Sequence, residues 1–237
     1  MSSPTNQTSP TGDDQIPPRE LAAVLLGGLG LALTAGYVNS LVILLGAPPA
    51  THLTGTITRM SSDLGMGDLI DAKIVAGLAI SFVLGAALSG VIIGSSTLRI
   101  GRRYGLTILI EALLLALAAL TITDSLIAGA MCAACAAGLQ NAMAASYRSL
   151  IIRTTHVTGV LTDLGFQLGQ LLTGHKIAHW HFALLGLILV AFISGGVLGA
   201  LASTQLGPLA LWLPAAWMAL TGVAYFAWRH LAADSQS

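Results

Sequence analysis

Thr155-His156-Val157-Thr158-Gly159-Val160-Leu161-Thr162-Asp163-Leu164-Gly165 is a polar stretch set between long apolar runs, and the chain carries an earlier copy of it. Thr51-His52-Leu53-Thr54-Gly55-Thr56-Ile57-Thr58-Arg59-Met60-Ser61 stands 104 positions before it. Superposing the copies puts His52 on His156, Thr54-Gly55 on Thr158-Gly159 and Arg59 on Asp163. A polar segment that recurs at this distance in an otherwise apolar chain divides the molecule into two halves of similar plan.

The composition fixes the class. Of 237 residues, 55% are hydrophobic and 8% charged, whereas a soluble domain carries about 25% charged residues. Several apolar runs reach the length of about 20 residues that a bilayer requires. The expectation is an all-α integral membrane protein held in the lipid bilayer. The formal net charge is zero, so a nucleic-acid role has no electrostatic support. Residues 1–20, rich in Ser, Thr, Pro and Gly, read as a disordered cytoplasmic tail. Asp13 and Asp14 spoil a basic signal-peptide start, and no cleavage is expected. The two cysteines, Cys132 and Cys135, lie in one apolar run and imply no disulfide framework.

A single membrane domain is expected over residues 21–231, with repeat one at 21–123, repeat two at 125–229 and a short tail at 232–237. The apolar runs cover 21–46, 74–98, 105–123, 126–147, 182–203 and 209–228. Gly138-Leu139-Gln140-Asn141 matches Gly36-Tyr37-Val38-Asn39, and Phe192-Ile193-Ser194-Gly195 matches Phe82-Val83-Leu84-Gly85. Each half therefore supplies three spans and one polar segment. With six spans and the termini inside, Arg19, Arg99, Arg102, Arg103, Arg148, Arg153, Lys176 and Arg229 are cytoplasmic and only Lys73 is outside. Eight spans would divide the basic residues almost evenly, so six are preferred. An odd number of spans per half inverts one repeat relative to the other, and the polar segments then re-enter from opposite faces and approach near the midplane.

As helices, the polar segments place His52, Thr56, Arg59 and Asp63 on one stripe, and His156, Val160, Asp163, Gln167 and Gln170 on its equivalent. Arg59 and Asp163 are expected to pair across the axis, because charge at bilayer depth costs about 2.5–3.5 kcal/mol or more; Asp63 is a second partner for Arg59. Thr54, Gly55, Thr158 and Gly159 serve either close packing or an anion at the segment starts. Asn39 and Asn141 either line the same region or hydrogen-bond between helices. Glu111 accepts a proton, pairs with Arg102 or Arg103, or snorkels. His175, Lys176, His179 and His181 beside Trp180 read as an interfacial anchor, with no metal or other cofactor expected.

The repeated segments, with Ala35-Gly36-Tyr37-Val38-Asn39 and Ala137-Gly138-Leu139-Gln140-Asn141, resemble the YoaK-like family of bacterial membrane proteins over roughly residues 21–229. The resemblance implies a polytopic inner-membrane protein of about six spans with no established activity. The chain departs from it at Asn39, where the family often has Asp, and at Thr56, where it often has Asn.

The function expected is a transporter or channel for a small solute or ion. Its substrate site comprises Asn39, His52, Thr54, Gly55, Arg59, Asp63, Asn141, His156, Thr158, Gly159, Thr162 and Asp163. A non-transporting scaffold or accessory subunit is the alternative. No nucleophile–base pair points to an enzyme. Glycines such as Gly85, Gly90, Gly94, Gly195 and Gly199 offer faces for a homodimer.

Overall fold

The computed structural model describes residues 18–51, 53–94, 102–146, 156–175, 177 and 179–234. Every regular element among them is helical: α1 (Pro18–Leu44), α2 (Leu53–Met66), α3 (Leu69–Ile93), α4 (Arg102–Thr121), α5 (Leu126–Ala145), α6 (Val157–Leu172), α7 (His179–Leu206), a 3-10 turn (Gly207–Leu211) and α8 (Trp212–Asp234). Five helical stretches are long and apolar enough to cross a membrane; the last, His179–His230, contains α7, the 3-10 turn and most of α8. The chain is a helical membrane protein.

Local chemistry explains the boundaries. Pro18 opens α1 where a missing N–H costs nothing, so the helix takes in three residues that composition assigned to the tail. Asp68 caps α3, its carboxylate accepting from the Ile70 and Asp71 amides at 3.2 Å each. Ser125 caps α5 by accepting from the Ala128 amide at 3.3 Å. Both polar segments form helices followed by a glycine in the left-handed region, Gly67 (φ 81°) after α2 and Gly174 (φ 77°) after α6. That conformation suits a residue without a Cβ.

Lipid supplies almost no hydrophobic drive between helices, so close approach of small residues sets the packing. The tightest contacts are α1 on α7 and α3 on α5. Gly36 lies against the Phe192 carbonyl and Gly195 against the Leu33 carbonyl; in the other pair Gly138 lies against the Phe82 carbonyl and Gly85 against that of Cys135. A Cβ at any of the four would strike backbone. The same quartet of positions therefore joins each pair, with one helix coming from each half of the sequence.

Contacts also fix direction. Gly195 and Gly199 meet Leu33 and Tyr37 in order, so α1 and α7 run parallel. Gly77 and Gly85 meet Met131 and Cys135, so α3 and α5 do too. Tyr104 meets Ser146 at one end of α4 and Ile122 meets Gly129 at the other, making α4 and α5 antiparallel. Gly105 against Tyr225 and Gly222 against Leu109 make α4 and α8 antiparallel. Gln140 donates to the Leu31 carbonyl (2.6 Å) while Gly46 faces Leu126, so α1 and α5 are antiparallel as well. The main core lies between α1, α4, α5 and the start of α8, around Leu41, Leu115, Leu211 and Met218.

Candidate functional site

The polar helices sit on the outside of this bundle. α2 packs on α3 and α6 packs on α7, and the two do not touch one another. The expected meeting of the polar segments, and the Arg59–Asp163 pair drawn from it, are therefore not found in this structure. The reason is the partner exchange: α3 and α7 are each drawn to a helix of the opposite half, and each takes its short polar helix with it.

Arg59 closes locally instead. Its Nη2 donates to Asp71 Oδ2 at 2.9 Å, and its Nε lies 3.8 Å from Asp63 Oδ2, an ion pair too long to be a hydrogen bond. The Arg59 and Asp71 side chains are 57% and 41% exposed, whereas Asp63 is buried. Asp71 is the residue that sequence reasoning missed. The corner at Gly67 and Asp68 brings the first turn of α3 back to α2, a contact that helical periodicity across one segment does not reveal. Asp163 is exposed on α6, with no ion pair among the described residues.

The other expected site residues divide by face. Thr56 is buried on α2, while Thr54 and Gly55 are exposed. On α6, Val160 and Gln167 are buried; His156, Thr158 and Thr162 are exposed, and Gly159 is half-buried. Gln167 Nε2 lies 3.1 Å from His181 Nδ1, which ties α6 to the first turn of α7. Asn39 Oδ1 accepts from the Thr51 amide at 3.3 Å and so fixes the chain leaving α1, and Asn141 is half-buried on α5. His52 lies outside the described residues, as do Arg99, Arg148, Arg153 and Lys176. No group of three His, Cys, Asp or Glu side chains arranged to hold a metal occurs among the described residues.

Glu111 stands apart from all of these. It is the tenth residue of the 20-residue α4 and is 1% exposed. Its Oε2 atom has no hydrogen-bond partner among the described residues. Snorkelling is thereby overturned, and so is pairing with the α4 arginines: Arg103 Nη1 donates to the Ile93 carbonyl at 3.0 Å, and both arginines are exposed a full two turns away.

No curated protein and no solved structure matches the chain. A family described as protein of unknown function (DUF1275) matches residues 27–224, which covers α2 to α7 whole and more than half of α1 and of α8. That span agrees with a YoaK-like membrane family in extent, though not in name. The chain belongs to the DUF1275 family of proteins of unknown function.

Proposed function

We propose that this protein is a transporter or channel for a small solute or ion, built as two inverted repeats of three spans in the inner membrane. One observation carries the reading: the exchange of partners between halves, α1 with α7 and α3 with α5, at matched glycines. Inverted repeats interlocked in this way are the common architecture of secondary transporters, whose sites lie between the repeats.

The helix directions support six spans. α1, α4 and α7 run one way and α3, α5 and α8 the other. At 14 and 16 residues, α2 and α6 reach about 21 and 24 Å, short of a hydrocarbon core of about 30 Å. If both crossed, α4 and α8 would run in the same direction, as would α1 and α5. With six crossings both termini face the cytoplasm.

Within this frame Arg59 is the residue through which an anionic solute would be held. Its guanidinium is reachable and is held by two carboxylates of its own half, which a bound anion would displace. Thr54 and Gly55 share α2 with Arg59, and Thr158, Gly159 and Thr162 lie on its counterpart, α6. The competing reading, a scaffold or accessory subunit, is favoured by the same local closure, since the Arg59–Asp71 bond holds α2 to α3 without any ligand. A second copy of the chain would use the small-residue face at Gly90, where no atom of the described residues lies within 4 Å of a Cβ position.

Thermal unfolding in detergent against a panel of small anions, cations and metabolites separates the two readings. A ligand at 100 times its Kd adds about 2.7 kcal/mol, and Arg59→Gln should erase the shift; solute flux into liposomes then follows. A parent that no compound stabilises and that moves no solute is a scaffold.

A further inference from the structure

Glu111 is a carboxyl at mid-helix with no ion pair among the described residues to balance a charge. The register between Tyr104–Ser146 and Ile122–Gly129 sets it level with Leu139 and Gln140 of α5. The Gln140 amide is already engaged with the Leu31 carbonyl of α1. The elements packed on α4 are α3, α5, α8 and the 3-10 turn. Their titratable or charged groups are few: Asp71 and Lys73 at the far end of α3, the thiols Cys132 and Cys135 on α5, and Tyr225, Arg229, His230 and Asp234 toward the end of α8; the 3-10 turn has none. The nearest cationic side chains on α4 and α8, Arg102, Arg103 and Arg229, lie about 12 Å or more away along the helix axis. An ionised carboxylate cannot be kept in such a place without compensation.

The surroundings are polar in one direction only. Thr107, one turn toward the start of α4, is fully buried and donates to the Arg103 carbonyl at 2.8 Å. Tyr104, the next turn, shares a 2.9 Å hydrogen bond with Ser146 at the end of α5. In the opposite direction the same face carries Leu115, Ala118, Ala119 and Ile122, all buried. A hard metal cation needs about six oxygen ligands, and one carboxyl among Leu and Ala side chains does not supply them.

We propose that Glu111 is a proton-binding site at the centre of the bundle, exchanging its proton along the polar side of α4 that Thr107 and Tyr104 line, toward the end of the molecule that carries Arg102 and Arg103. As a coupling site it rests on the transporter reading; as a binding site it stands on this geometry alone.

Infrared spectroscopy of the full-length protein in lipid vesicles tests it, with hydronium or deuterium ions as the only probe. At neutral pH the parent should show the carbonyl stretch of a protonated carboxylic acid. The band should vanish in Glu111→Gln, move in Glu111→Asp and stay in Asp63→Asn. On transfer to D2O its isotope shift should be several-fold slower in Tyr104→Phe and in Thr107→Val. Absence of the band in the folded parent, or its survival in Glu111→Gln, overturns the site. Should Glu111→Gln not fold, an unmoved band in Glu111→Asp overturns it equally. Unchanged exchange in both Tyr104→Phe and Thr107→Val overturns the route. A band that behaves as expected in a protein that moves no solute rejects the transporter reading and leaves the proton site standing.

Discussion

At the scale of single residues, the informative positions are those where charge and burial disagree. That Arg59 needs a carboxylate, and that Asp63 stands one turn on, is legible in the sequence. What could not be read was Asp71, because the corner at Gly67 that returns it to α2 is set by tertiary packing. The Arg59–Asp71 pair is exposed, so a coupling of about 0.2–1 kcal/mol is expected. A double-mutant cycle of Arg59→Gln with Asp71→Asn, followed by thermal unfolding, should return that value. The cycle with Asp163→Asn should be additive within about 0.3–0.5 kcal/mol; a clear coupling there would require a second conformation in which α2 and α6 meet. Glu111 teaches the converse lesson. A lone acid in an apolar run is visible in any sequence, yet only the packing of α4 shows that it points into the core rather than to the arginines.

At the scale of helices, glycine has two meanings here that composition cannot separate. Gly85 and Gly90 occupy one apolar helix, and both read as small-residue packing. Gly85 rests on the Cys135 carbonyl, whereas Gly90 has open space around it. Gly85→Ala and Gly138→Ala should each cost about 1–3 kcal/mol, the range for overfilling a packed contact. Gly90→Ala should be neutral or stabilising by about 0.4–1 kcal/mol, through the unfolded chain. Unfolding of the three variants in one detergent checks both; equal losses would show that helix propensity, not contact, governs them. The Cys132-Ala133-Ala134-Cys135 spacing acquires its explanation at the same contact, since a small helix face is what Gly85 requires. α6 depends on fewer ties. Removing the hydrogen bond with His181 by Gln167→Leu should speed amide exchange across 157–172 while barely moving the global transition.

At the scale of the whole molecule, two motif pairs, Gly36/Gly138 and Phe82/Phe192, recur in the sequence and mark equivalent positions in the two halves. Their mutual contact was not readable, since sequence likeness says which positions are equivalent and not which ones touch. The polar segments were expected to meet on the grounds of symmetry alone, and the long-range pairing of α1 with α7 and α3 with α5 decided otherwise. The alternating helix directions give a topology that can be mapped in cells. In a background with Cys132→Ala and Cys135→Ala, Asp124→Cys and Lys73→Cys should react with an impermeant maleimide from outside, and His230→Cys only after permeabilisation. Labelling of all three from one side would contradict six spans.

The exchange of partners also bears on how the chain is made. Gly36 leaves the ribosome 156 residues before its contact Phe192, a delay of about 8–30 s at the usual rate of synthesis of 5–20 residues per second. During that interval α1 is in the bilayer with its glycine face open, and α3 waits more briefly for α5. Neither half can complete its own packing, so the two halves produced as separate polypeptides should each be degraded alone and accumulate only when made together. If the halves accumulate only together, the unit of biogenesis is the pair of halves, and a chaperone or insertase that shields α1 until the second half arrives would act on the most vulnerable stage of its life.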